Sequence, residues 1–224
     1  YSSNVQCRVA SDVLIPDPGK PIACSISCKM GSQLNRVLKK DGRVTMELSN
    51  SSKKFKDFLN AKGIPSSEYR QRPRDVGIGI VEAIESWKSA VSVANGGTID
   101  IEKSSYLVLL YNSAGFYQMF RFRIQLPDPR GISWYYPQRT RDGQRNAAGH
   151  LNGDDKDGGR QFEWYSDSGG QLKYYPLAAD AVWKSPQFRL EPLSEEAKVF
   201  GLITKAESYF PQQWAQATSK KQPR

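Results

Sequence analysis

The feature that most constrains this chain is the stretch over residues 74–111, which reads as one amphipathic helix followed by one short apolar run. Val76, Ile80, Ile84 and Trp87 recur at steps of four, four and three, so they share one helical face. Asp75 is placed to cap the start, and Asn95-Gly96-Gly97 to stop the helix and turn the chain. Glu82, Glu85 and Lys88 fall off the apolar stripe. Tyr106-Leu107-Val108-Leu109-Leu110-Tyr111 is the longest apolar run, well short of the roughly 20 residues a transmembrane helix needs. Its length and aromatic ends predict a strand buried on both faces, with the helix packed on one of them.

Around this unit most of the pattern is strand-like. Ile22, Cys24, Ile26, Cys28 and Met30 alternate with Ala23, Ser25, Ser27 and Lys29, the period of a half-buried strand. Lys39-Lys40-Asp41-Gly42-Arg43 reads as a hairpin turn leading to a second strand face of Val44, Met46 and Leu48. Ser51 or Ser52 is placed to cap a short helix carrying Phe55, Phe58 and Leu59 and ending at Gly63. Phe120, Phe122, Ile124 and Leu126 face one way on a later strand, with Arg121, Arg123 and Gln125 facing the other. A short strand is expected over 132–136, a long mobile loop over 139–160, and a hairpin from 161–165 and 171–175. A helical turn is expected over 178–184, a capped helix over 194–200 and a strand at 202–203.

Strands outnumber helices and follow one another in hairpin-like order. This predicts an α+β fold: an antiparallel sheet packed against two or three helices, in a single domain with a small C-terminal sub-sheet. The expected organisation is an N-terminal arm over 1–20, the domain over 21–211 and a frayed basic tail over 212–224.

Catalytic and cofactor motifs fail on inspection. Gly77-Ile78-Gly79 is followed by Glu82 where a dinucleotide fingerprint needs glycine or alanine, and no apolar strand precedes it. Asp155 and Asp157 before Gly158 resemble part of a calcium loop, but position 12 would be Trp164 instead of glutamate. His150 is the single histidine and falls in a Gly/Asp-rich loop, so no His/Cys metal site is expected. Cys24 and Cys28 are roughly 13 Å apart on one strand face, too far for a disulfide. With Cys7 they make a sparse, odd count that suits a reducing compartment. No run reads as a signal peptide or a membrane span. The expectation is a protein without enzymatic activity, cofactor or metal.

What survives is charge. The net charge of +9 favours anionic partners. The basic residues gather as Lys39, Lys40 and Arg43; as Lys53, Lys54, Lys56 and Lys62 with Arg70, Arg72 and Arg74; and as Arg121 and Arg123 with Arg139, Arg141 and Arg145. These are the expected contacts to an anionic surface such as an anionic membrane. Ile132, Trp134, Tyr135 and Tyr136 are the candidates for insertion into lipid, with a core strand as the competing reading. RNA stacking on Trp134 and Tyr135 is the weaker reading, since no RNP-type pattern is present.

Three segments resemble rhabdovirus matrix proteins of the vesiculovirus type. Trp183, followed after the stretch Glu195-Glu196-Ala197-Lys198-Val199 by Phe200-Gly201-Leu202-Ile203, is similar to that family's tryptophan and its Lys-Ala-Leu-Met-Phe-Gly-Leu-Ile segment. Tyr136-Pro137-Gln138-Arg139 is similar to a Leu-Pro-His-Arg segment. Ser86-Trp87 followed by Leu107-Val108-Leu109-Leu110 is similar to the family's Ser-His-Trp helix and Ile-Leu-Ala-Phe-Leu strand. The resemblance implies an α+β matrix fold and a structural role beneath a viral envelope. It implies self-association, binding of anionic lipid and viral nucleoprotein, and condensation of the nucleocapsid during budding. The location it implies is the virion and the host cytoplasm and membranes, with the host nucleus as a further site. The family's Pro-Pro-x-Tyr motif and very basic N-terminus do not occur in this sequence. The resemblance would place them upstream of Tyr1, or place the chain in a distant branch such as that of the plant-infecting viruses. Residues 1–20 would then be the stub of an arm that docks on a neighbouring subunit. The alternative expectation is a nucleic-acid-binding viral coat or movement protein.

Overall fold

The computed structural model describes residues 13–16, 23–39, 42–141, 144–147, 149–166, 169–189, 207–208 and 211–219. The chain divides into two compact units, Tyr1–Phe188 and Arg189–Arg224. In the first, β1 (Val13–Pro16) and β2 (Ala23–Gly31) lead to α1 (Leu34–Lys39), β3 (Met46–Ser49), α2 (Ser52–Ala61) and the long α3 (Pro73–Val91). Then come β4 (Ser105–Tyr111), β5 (Phe116–Arg123), β6 (Ser133–Tyr135), β7 (Gln138–Arg141) and β8 (Gln144–Ala147). β9 (Leu151–Asp154), β10 (Arg160–Tyr165), β11 (Gln171–Tyr174), β12 (Trp183–Lys184) and β13 (Phe188–Arg189) follow. In the second unit α4 (Pro211–Ser219) forms a helix where a frayed tail was expected, with proline at its first turn, the one helical position that tolerates it. The helix expected over 194–200 and the strand at 202–203 lie outside the described residues.

The fold is α+β, built on two sheets. The first runs β1-β2-β4-β5-β12, with β13 also paired to β5; the second runs β3-β11-β10-β9-β6. β7 and β8 form a separate hairpin. β2 and β4 are parallel, with Cys28 beside Leu107 and Met30 beside Leu109. Parallel neighbours require a long crossover, and the chain passes through α1, β3, α2 and α3 on the way. The turn expected at 39–43 therefore does not join two neighbouring strands of one sheet, and its Lys40 and Asp41 lie outside the described residues. α1 occupies 34–39, and β3 pairs with β11 in the other sheet. Nor is 139–160 a loop: it holds β7, β8 and β9, then a tight turn in which Asp155 N–H donates to Gly159 O at 2.9 Å. The arm is likewise structured in part, since β1 pairs with β2. The turn over 178–184 holds a short 3-10 helix at Ala178–Asp180 before β12.

Each sheet has its own core. Val76, Ile80 and Ile84 of α3, with Phe55 and Leu59 of α2, pack on Trp134, Leu151, Phe162, Trp164 and Leu172 of the second sheet. Burying a side chain of this kind contributes about 1.5–3 kcal/mol. α1, through Leu34 and Val37, packs with Val44 and Met46 on Val108, Leu110, Phe120 and Phe122 of the first sheet and on Ile124 just after β5. The apolar stripe of α3 is thus real, but its partner is the second sheet and not β4. From Tyr106 onward β4 is buried on alternate residues: Tyr106, Val108 and Leu110 point inward, and Ser105 at its start is buried as well.

Trp134 is the keystone of the first core. Its ring stacks on Phe162 with centroids 5.6 Å apart, and its Nε1 donates to Pro129 O at 3.0 Å. It fits because Gly77 of α3 and Gly153 of β9 leave room on either side; a Cβ built at either position would run into the indole. The Gly77-Ile78-Gly79 spacing therefore serves packing. Gly79 meets Leu59 of α2 in the same way.

Two local readings reverse. On β2 the serines point inward, with Ser25 fully buried and Ser27 nearly so, while Cys28 and Met30 are exposed. Ser27 lies beside Tyr106, where a small side chain leaves space for the phenol ring. Lys88 is buried rather than solvated. Its ammonium pairs with Glu85 Oε1 at 2.8 Å, donates to Ile124 O and lies 5.7 Å from the Tyr106 ring centroid. Burial lowers its pKa, against the pull of Glu85. α3 is therefore tied to both sheets: to the second by its apolar stripe, to the first by this lysine.

Candidate anionic contact surface

α2 positions the clearest basic ridge. Phe55 and Leu59 are fully buried, which turns Lys53, Lys54 and Lys56 to solvent. Lys53 pairs with Asp57 one turn on at 2.7 Å, with both side chains largely exposed. Such a pair adds little and does not hold the lysine against a better partner. Lys54 lies 5.9 Å over the Trp87 ring, and Lys56 has no carboxylate partner among the described residues. Ser51 stands before the helix without making a side-chain cap bond, so the apolar face and not the cap fixes this helix.

The cluster that follows is more nearly neutral. Lys62 pairs with Glu82, which also takes Arg130 at 3.2 Å. Arg72 sits between Glu68 at 3.1 Å and Asp75 at 3.0 Å and donates to Gly63 O at 3.0 Å. Its pKa is raised by the hydrogen bonds to Asp75 and Glu68. Asp75 therefore binds Arg72 instead of capping the backbone, and the helix starts at Pro73, with Arg72 in the cap position. Arg70 lies 5.4 Å over the Tyr136 ring, and Arg74 is exposed without a carboxylate partner among the described residues.

Lys39 is exposed, and Lys40 lies outside the described residues. Arg43 is not a surface contact. It is 7% exposed, donates to Tyr175 O at 2.9 Å and grips Asp155 Oδ2 at 2.6 Å. Asp155 also takes Gln161 Nε2 and the N–H groups of Asp157 and Gly159. The Asp-rich turn thus encloses an arginine rather than offering a calcium loop. Arg121 and Arg123 are exposed on β5 with no carboxylate partner among the described residues. The backbones of Arg139, Arg141 and Arg145 lie on the β7–β8 hairpin; their side chains lie outside what is described.

The insertion candidates separate sharply. Ile132 and Trp134 are 8% and 6% exposed and belong to the core, so insertion through them would require opening the domain. The alternation of the three-residue strand β6 turns Trp134 inward and Tyr135 outward. Tyr135 is exposed, and its hydroxyl donates to Asp154 Oδ2 at 2.7 Å. Tyr136 is half-buried beneath Arg70.

A polar network on the second sheet leaves no local mark in the sequence. His150 is buried, stacks on Tyr165 at 5.4 Å and lies 3.5 Å from Glu163 Oε1. Tyr175 donates to Glu163 Oε2 at 2.7 Å. Burial works against ionised Glu163, yet hydrogen bonds from Tyr175 and Tyr165 hold its pKa below the usual carboxylate range. Burial and the neighbouring Glu163 push the Tyr175 hydroxyl up. These groups are spent on one another, which suits a structural network better than a site awaiting substrate. No cluster of metal-ligating side chains occurs among the described residues, and no described helix is long and apolar enough to cross a membrane. The chain has no significant match to a known protein family, a curated protein or a solved structure.

Proposed function

We propose that the chain is a non-enzymatic structural protein of the viral matrix kind. In this reading it self-associates, adheres to the anionic inner face of a membrane and condenses nucleoprotein during assembly and budding. Its place would be beneath the envelope in the virion and at membranes of the host cell. The observation that carries the reading is the α2 ridge: Lys53, Lys54 and Lys56 stand outward on a helix whose opposite face is locked into the core. Anionic lipid contributes about 1 kcal/mol for each Lys or Arg near its surface, so a few such residues give reversible, salt-sensitive adhesion. Self-association is supported by the outward side of the first sheet. There Cys28 and Met30 are exposed, and Leu107 and Leu109 belong to neither core. Flotation of the purified chain with vesicles tests the reading. The chain should rise with phosphatidylserine-containing vesicles at low salt, release as salt increases and ignore neutral vesicles. Failure to float with acidic vesicles at any salt concentration would overturn it.

A further inference from the structure

The outward face of the first sheet has a basic end, on a different element from the α2 ridge. Cross-strand register places Cys28, Leu107, Arg121 and Trp183 in one row, and Ser105 and Arg123 in the next. Arg121 and Arg123 are alternate residues of one strand, so their side chains leave the same face about 7 Å apart. That is close to the phosphate spacing of an extended single strand. Both are exposed, and neither has a carboxylate partner among the described residues. Beside them Trp183 is 46% exposed, with its position fixed by pairing of β12 to β5. The arginines lie in a groove of about 630 Å³, walled on one side by the turn carrying Lys103 and Ser104 and on the other by Val182. Lys103 pairs with Asp100 at 3.1 Å, and Glu102 is the carboxylate that lines the groove.

We propose that this groove binds single-stranded nucleic acid, with Arg121 and Arg123 on successive phosphates and an unpaired base stacked on Trp183. Three features favour that occupant. Arg121 and Arg123 outweigh Glu102 among the lining residues, and neither arginine has a carboxylate partner among the described residues, so a polyanion would meet net positive charge there. An exposed indole next to two guanidinium groups offers a stacking platform that is indifferent to base identity. The site is concave, so a thin chain reaches the arginines, whereas a flat bilayer would meet the flanking turn and Val182 first. The proposal goes beyond the coat reading and does not depend on it, because the α2 lysines belong to a different element.

The test is fluorescence anisotropy with a labelled oligouridine of about a dozen nucleotides, at several salt concentrations. The intact chain should bind it, and more tightly than the same sequence in a duplex, which offers no unpaired base. Arg121→Glu with Arg123→Glu should weaken binding at least tenfold and flatten the slope of log affinity against log salt by about 1.4, the loss of two phosphate contacts. Trp183→Ala should weaken it about tenfold with the slope unchanged. Arg121→Ala with Arg123→Ala, checked for an unchanged melting transition, guards against misfolding. Lys53→Glu, Lys54→Glu and Lys56→Glu together should leave oligouridine affinity within about twofold. Equal binding of duplex, equal loss in the α2 variant, or loss of acidic-vesicle binding but not oligouridine binding in the β5 variants would overturn the proposal.

Discussion

At Gly77 two physical effects oppose each other. Alanine is the better helix former by about 1 kcal/mol. Yet a Cβ at this position would fall inside the Trp134 indole, a rigid ring held by Phe162 and by Pro129. Overpacking of that kind costs about 1–3 kcal/mol, and here the ring has nowhere to retreat. Gly77→Ala should therefore lower the urea midpoint; a rise would show that Trp134 is not seated between Gly77 and Gly153. A second prediction concerns acid. Asp155 has its pKa lowered from 3.8 to about 2 by Gln161, by the N–H groups of Gly159 and Asp157, and by Arg43, against some desolvation. A carboxylate that binds its proton less tightly when folded stabilises the fold above its unfolded value. That contribution drains away as pH falls from about 4 toward 2. Urea denaturation should show the loss in that window, and Asp155→Asn should be less stable at neutral pH while losing part of the acid dependence. An unchanged pH profile in Asp155→Asn would contradict the role of this turn.

At the scale of elements, α3 makes a third prediction. Trp87 is half-buried, with its ring 5.1 Å from that of Phe55. Trp87→Ala should cost about 2–4 kcal/mol, below the full price of a wholly buried tryptophan. An unchanged melting curve would refute the register of α3 on α2. This helix was legible because its four apolar residues recur on one face, as were α2 and the β10–β11 hairpin. The inside of β2 was not legible. A period of two divides a strand into faces without saying which face is inside, and β4, far away in sequence, decided that Ser27 goes beside Tyr106. Trp134 was ambiguous for the same reason: the space that buries it is made by Gly77 and Gly153, distant residues that leave no local mark. Arg43 and Lys88 read as surface cations from composition, because a buried cation is recognised only by partners such as Asp155 and Ile124 O that folding brings to it.

For the whole molecule, charge and folding lead to a narrower surface than the sequence suggested. Among the described residues, the expected contacts Arg43, Lys53, Lys62 and Arg72 are ion-paired within the chain. Of these, Lys53 is the most weakly committed, since its pair is solvated. The ridge of α2 thus stands out from a molecule whose other cations are partly spent on its own acids. Because Lys53, Lys54 and Lys56 are exposed, with only Lys54 reaching back to the half-buried Trp87 ring, their replacement by glutamate should leave a cooperative thermal transition in place while removing adhesion. The measurement that tests the account most directly is vesicle flotation of that triple variant beside the unaltered chain, both shown to be folded. The account predicts that the unaltered chain rises with phosphatidylserine vesicles and the folded variant stays at the bottom. Equal flotation of the two would contradict it.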